Sequence, residues 1–214
     1  MNKLLITYGW GDENEELHRI TLPGKEAYAR LHGYDLWCPT RETFSKVDDG
    51  RHASWFKVKA IQDAIVYKIS RQYTLTGYDV VLWLDADVGI VDPYFDILSH
   101  AAGRRPFHCV THYTADGAVP NCGVWLVKGH AAGCEVSDML EHIWNHTSAP
   151  RADHWWEQAA FIDLYANTVH CNSKLHSVWN PHRNDSCSTA DASYFFHATQ
   201  WPDRASELKK RCFI

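Results

Sequence analysis

The sequence is short of several features on which large classes of protein depend. It contains no Cys-x-x-Cys pair, no long apolar run, only two methionines, and fewer bases than acids, with Lys+Arg 21 against Asp+Glu 26. The formal net charge of −5 opposes the electrostatic grip by which a basic module holds nucleic acid. Seven cysteines, an odd number scattered singly through apolar stretches, read as reduced, buried thiols rather than a disulfide framework. After Met1-Asn2-Lys3 only a few apolar residues precede the polar stretch from Gly9. Neither a signal peptide nor a membrane anchor is expected there, and a cytoplasmic location follows, including a viral or phage host's cytoplasm. No internal repeat, low-complexity tract or Ser/Gly linker divides the chain, so residues 1–214 are expected to form one domain.

What is present is a globular composition with an aromatic surplus. Apolar residues make up 45% and charged residues 22%, and a chain of 214 residues buries roughly 70% of its unfolded surface. Ten tryptophans exceed what such a core needs and point to flat, amphipathic binding surfaces. The periodicity alternates short apolar runs with helical patterns. Strands are predicted at 3–8, 33–38 (with its turn) and 78–84. A helix is predicted over 55–70, with Ser54 as its cap and Trp55, Val58, Ile61, Ile65 and Ile69 on one face. Residues 15–31 carry helical spacing that Pro23-Gly24 is expected to break into a loop and a helix. Further on, a short helix is predicted from Asp92-Pro93 to about His100. Strands follow at 106–111, 122–127 and 193–197, with helices at 130–145 and 153–166, and a basic tail at Lys209-Lys210-Arg211. This order predicts an α/β fold with a mostly parallel central sheet flanked by helices.

The chief chemical feature is Asp85-Ala86-Asp87, directly after the apolar strand ending at Leu84. In open α/β sheets ligands gather at the carboxyl ends of strands, and two carboxylates one residue apart can share a hard cation while leaving room for phosphate oxygens. The competing reading of Asp-x-Asp is an ordinary turn or cap. His197 closes an aromatic strand and is an acceptable third ligand for Mn²⁺, or else a structural histidine. Glu157, between paired tryptophans and Gln158, is either a desolvated carboxylate facing a sugar or a first-turn acid of its helix. Lys57 near a helix start is either a diphosphate contact or an exposed lysine. Asn121-Cys122-Gly123 is either a close approach of backbone to ligand or a turn. His142 and His146 read as a solvated helix face.

These motifs resemble, in order, the metal-dependent GT-A glycosyltransferases, and most closely glycosyltransferase family 34, which includes galactosyl-, mannosyl- and xylosyltransferases. The resemblance runs through Trp55-Phe56-Lys57, Leu82–Ile90, Asn121–Val127 and Trp156–Phe161 to His197, covering roughly residues 50 to 200. It implies a GT-A, Rossmann-like domain that binds a sugar nucleotide and is metal-dependent and retaining. Asp85, Asp87 and His197 would hold Mn²⁺ or Mg²⁺ on the diphosphate. Tyr8, Lys57, Asp85, Asn121, Gly123 and Arg204 would form the donor-binding set, with Lys209 a second candidate for the diphosphate. Glu157 and Gln158 would be the catalytic pair. The donor would be a nucleotide sugar, UDP-linked first among the options, and the acceptor a glycan or other hydroxyl compound, stacked on Trp155, Trp156, Trp179 or Trp201. The chain departs from the family's pattern in that no N-terminal anchor is expected from this sequence and in the Ala198-Thr199-Gln200-Trp201 that follows the histidine.

Three alternatives compete. A haloacid-dehalogenase-like phosphohydrolase also places Asp-x-Asp after an apolar strand, but normally near the N-terminus and with a later acidic pair. A non-catalytic sugar-binding module would bind without turnover. A phage-type transferase acting on hydroxylated DNA bases would keep the chemistry and change the acceptor.

Overall fold

The computed structural model describes residues 1–46, 49–65, 77–101, 105–114, 117–129, 133–149, 152–165, 172–175, 195–198 and 201–212. β1 (Lys3–Tyr8), β2 (Asp35–Trp37) and β3 (Val80–Asp85) are followed by β4 (Val88–Ile90), β5 (Phe107–Thr114), β6 (Gly117–Lys128), β7 (Asn172–Leu175) and β8 (Phe195–His197). A six-stranded sheet has the order β2-β1-β3-β6-β5-β7, and β4 pairs with β8 in a separate ribbon. The pairings β1–β2, β1–β3 and β5–β7 are parallel, whereas β6 runs antiparallel to both β3 and β5. The central sheet is thus mostly parallel, as expected, with β6 inserted against that direction. Apolar runs fill β1 and β3 because both faces of this sheet are covered.

The helices are α1 (Asp12–His32), α2 (Arg41–Ser45), α3 (Phe56–Ile65), α4 (Ile97–His100), α5 (Gly133–Asn145), α6 (Ala152–Tyr165) and α7 (Arg204–Arg211). One face of the sheet packs on α3, α5 and α6 through Phe56, Ile61, Trp125, Leu140 and Phe161. The other face packs on Tyr28, Phe95, Ile97 and Phe195. Each of these buried side chains contributes about 1.5–3 kcal/mol relative to exposure.

Several local expectations change. α1 runs unbroken through Pro23, burying Leu17, Ile20, Thr21, Gly24, Lys25 and Tyr28, and ends at Gly33 in the left-handed conformation. That continuous buried face outweighs the roughly 3 kcal/mol that an interior proline costs. α3 begins at Phe56, after a 3-10 turn over Ala53–Trp55 whose cap is His52, its side chain accepting from the Ser54 N–H. The predicted Ser54 cap is therefore replaced by His52, and residues 66–70 of the predicted helix lie outside the described residues. α4 is capped by Asp96 and starts later than the expected Asp92-Pro93. Asn121-Cys122-Gly123, for which a turn is one of two readings, lies inside β6. Val110 pairs with Asn121 and Cys109 with Trp125, so Cys122, Gly123 and Val124 bulge out of the β5 ladder. The basic tail is the last turn of α7. Cys109 and Cys122 are buried and Cys38 and Cys212 half-buried, all four as free thiols. No helix among the described residues is long and apolar enough to cross a membrane.

Candidate active site

A cavity of about 500 Å³ opens at the carboxyl ends of β1 and β3, where Tyr8, Asp85, Asp87, Lys57, Asn121, Gly123, Glu157, Gln158, His197 and Arg204 converge. β3 carries its apolar run up to Leu84 and presents Asp85 at its end; the chain then turns through Ala86 into Asp87 and β4. Pairing of Val88 with His197 brings the end of β8 alongside. The Asp87 carbonyl accepts from the Ala198 N–H at 2.9 Å. As a result Asp85, Asp87 and His197 each offer one ligand atom, and all three atoms lie within 4.8 Å of one another.

Asp87 is only 7% exposed, yet both of its oxygens are engaged. Oδ1 lies 3.2 Å from His197 Nε2 and Oδ2 accepts from Arg204 at 3.0 Å. Burial alone would raise its carboxyl pKa, but His197, Arg204 and Lys25 together hold it well below the usual carboxylate range. Arg204, at the start of α7, is anchored on its other side by Glu13 at 2.7 Å and by Asn14 at 3.4 Å.

Lys57 sits at the bottom of the cavity, 2% exposed. Its Nζ lies 3.0 Å from Asp85 Oδ1, 2.9 Å from Glu157 Oε1 and 2.8 Å from the Cys122 carbonyl. An ammonium has three N–H donors, and here each has an acceptor. Burial works against its charge, but Asp85 and Glu157 outweigh it and raise its pKa. The third acceptor is available because the β6 bulge turns the Cys122 carbonyl out of the β5 ladder, a common use of bulges beside sites. Asp85 Oδ1 also accepts from Trp83 Nε1 at 2.6 Å.

Glu157 is 3% exposed. Its Oε2 is buried without a hydrogen-bond partner among the described residues. Burial raises its carboxyl pKa and Lys57 partly opposes this. The residue is therefore a desolvated carboxyl group, and the kink at Trp156 also puts it at the start of the second segment of α6. Its placement depends on a break in α6: Trp156 has φ 43 and ψ −122, a backbone conformation that a bulky residue rarely adopts. The Trp156 ring, 36% exposed, stacks on His52 at 3.9 Å and 7°.

Gly123 is required by close approach. A Cβ there would lie 2.4 Å from His197 Cε1 and 2.7 Å from Nδ1. Asn121 Oδ1 accepts from the Gly123 N–H at 2.9 Å, and Gln158 Oε1 from the Cys122 N–H at 3.1 Å. Tyr8 lines the cavity with its ring 5.2 Å from Phe56. Trp155 and Trp156 also line it. Trp201 instead packs on Phe196 at 5.6 Å and beneath Arg211, and Lys209 is exposed in the last turn of α7. Trp179 lies outside the described residues.

The sequence reading missed Trp10, Asn14, His52 and Trp83 in the lining, and Lys25 behind it. For Lys25 a signal existed: it recurs with Leu17, Thr21 and Tyr28 at helical spacing, a lysine on an otherwise apolar face. The expected break at Pro23 hid it.

No protein-family model matches the chain, and no curated protein matches its sequence. Solved structures match in fold. A glycosyltransferase involved in glycosylation of the major capsid of PBCV-1 superposes with a TM-score of 0.66 at 16% identity, covering 98% of this chain and 100% of that one. Mouse xyloside xylosyltransferase 1 gives 0.57 at 11% identity, covering 92% and 97%. The galactosyltransferase LgtC, with donor and acceptor sugar analogs, gives 0.50 at 13% identity, covering 99% and 97%. The fold of this chain is the GT-A glycosyltransferase fold.

Proposed function

We propose that this chain is a metal-dependent, retaining glycosyltransferase that moves a hexose or pentose from a nucleotide sugar, a UDP-sugar first, to a hydroxyl acceptor. The observation that carries the reading is the convergence of Asp85, Asp87 and His197 on one point, in the same cavity as the buried Lys57–Glu157 pair. Two carboxylates and an imidazole suit Mn²⁺ or Mg²⁺, and the Asp87 carboxyl stays ionised at neutral pH. The charge balance supports the same reading. The lining carries Asp85, Asp87 and Glu157 against Lys57 and Arg204, so an anionic diphosphate needs added positive charge to enter.

A divalent cation held by Asp85, Asp87 and His197 would act as a Lewis acid on the negative charge that builds as the diphosphate departs. Arg204, already beside Asp87, is the cation placed to share that charge. Glu157 answers the positive charge that develops at the sugar's reactive carbon, either by attraction or by a transient bond. Lys57 opposes the effect of burial on the charge of Glu157 and fixes Oε1, leaving Oε2 for the substrate. Gln158 and Asn121 bound the space for the transferred sugar, and Trp155 and Trp156 offer ring faces for the acceptor.

The test is transfer from a panel of UDP-sugars with Mn²⁺, using the unmodified protein and Glu157→Gln. Transfer should require metal and fall sharply in Glu157→Gln while UDP binding persists. Unchanged turnover in that variant would remove Glu157 from the mechanism. Hydrolysis of a generic phosphate ester, without sugar transfer, would favour the phosphohydrolase instead.

A further inference from the structure

Lys25 is fully buried in α1, at 0% exposure, behind the wall of the cavity rather than in it. Its Nζ lies 2.7 Å from the Asp85 carbonyl, 2.9 Å from Thr7 Oγ1 and 3.4 Å from the Ala86 carbonyl. One helical turn earlier, Thr21 Oγ1 donates to the same Ala86 carbonyl at 2.8 Å. The next carbonyl, that of Asp87, is held by Ala198 beside His197. Three successive carbonyls of the acidic loop are therefore tied down, two of them by α1.

The chemistry of these contacts separates Lys25 from an ordinary buried ion pair. Taking an ammonium out of water costs several kcal/mol, and close carboxylate partners are the usual compensation. Here the three hydrogen-bond partners are neutral oxygens, two of them loop carbonyls. The side chain thus fixes the backbone without itself occupying either carboxylate.

We infer that Lys25 is a positioning residue, with Thr21 as its second grip, that sets the Asp85–Ala86–Asp87 backbone so both carboxylates reach one cation. The inference rests on the metal reading above. Lys25 touches neither substrate nor metal. It acts through the loop, and the unbroken course of α1 through Pro23 is what carries it there.

The test uses the full chain and Mn²⁺ alone, with no donor. Affinity is measured by titration for the unmodified protein, Lys25→Met and Thr21→Val. Amide hydrogen exchange of Ala86, Asp87 and Val88 is followed in metal-free buffer. Lys25→Met should weaken Mn²⁺ binding about tenfold or more, in the range seen when groups orienting metal ligands are removed. It should also speed exchange at those amides beyond the rest of the sheet. Thr21→Val should weaken binding a few-fold, since the Ala86 carbonyl keeps one donor. A folded Lys25→Met with unchanged Mn²⁺ affinity and unchanged local exchange overturns the inference, as does a uniform rise in exchange with affinity intact. Should Lys25→Met fail to fold, Thr21→Val decides, and native affinity with native exchange in that variant is the contrary result. An unmodified protein that does not bind Mn²⁺ contradicts the metal reading, while the exchange of Lys25→Met still reports whether Lys25 sets the loop.

Discussion

Asp85 is held at its two ends by two buried lysines, and they do opposite work. Lys57 meets its carboxylate and, through the same ammonium, that of Glu157. Lys25 meets its carbonyl, beside a second carbonyl and a hydroxyl. Burial lowers the pKa of Lys25 to about 7, with Asp87 and Asp85 offsetting only part of the effect. At Lys57 the same burial is outweighed by Asp85 and Glu157, and the pKa rises. The lesson is that contact charge, not depth, decides what a buried lysine is for. One with two carboxylates in contact balances charge in the cavity. One surrounded by neutral oxygens arranges backbone.

The largest expected effect comes from removing the balancing charge. Lys57→Met leaves the buried Glu157 and the half-buried Asp85 without their shared cation and should cost about 3–5 kcal/mol in urea unfolding. Adding Glu157→Gln to that variant should restore part of the loss. A double variant no more stable than Lys57→Met would show that the pair is not coupled. Next comes catalysis. Glu157→Gln should lower transfer by about 10²-fold or more while UDP and Mn²⁺ still bind. Gly123→Ala forces a methyl against His197 and should weaken Mn²⁺ binding by about tenfold, at a stability cost of roughly 1–3 kcal/mol. Lys25→Met should cost less stability than Lys57→Met, about 1–3 kcal/mol, because the groups it leaves unpaired are neutral. An equal loss would erase the contrast between the two lysines.

The smallest effects concern pH. Burial lowers the pKa of His18 to about 4, with Lys25 adding to the shift, and burial likewise lowers that of His108 to about 4. Between pH 6.5 and about 4 the unfolded chain binds these protons and the folded chain does not, so stability falls as pH falls through that window and levels below it. Thermal unfolding of the metal-free protein across pH 7 to 4 measures the slope, and His18→Gln should flatten it. In Lys25→Met the His18 resonance should titrate at higher pH, and an unchanged midpoint would show that Lys25 carries no charge there.

Much of the site was legible in the sequence because its signals are local. The apolar run before Asp85 and the aromatic run before His197 each mark a strand end, and strand ends are where this fold gathers ligands. Lys57, Asn121, Gly123, Glu157 and Gln158 were found as short motifs, and the structure brings them into one cavity. What escaped depends on tertiary packing. Local proline chemistry argued for a break at Pro23, whereas packing of Leu17, Ile20 and Tyr28 keeps α1 whole and seats Lys25. The bulge at Cys122–Val124 arises only where β6 must pair with β3 and β5 at once. The left-handed Trp156 follows no local propensity, and without it helical projection misplaces Glu157 relative to its neighbours.

The most direct test of the central claim is thermal unfolding of the unmodified protein with Mn²⁺, with UDP, and with both. A ligand at 100 times its dissociation constant adds about 2.7 kcal/mol, on the order of 5–10 °C for a chain of this length. The account predicts a shift of that size with Mn²⁺ and UDP together, little with UDP alone, and its loss in Asp87→Ala. A UDP shift of the same size without metal, or one that survives Asp87→Ala, would contradict it.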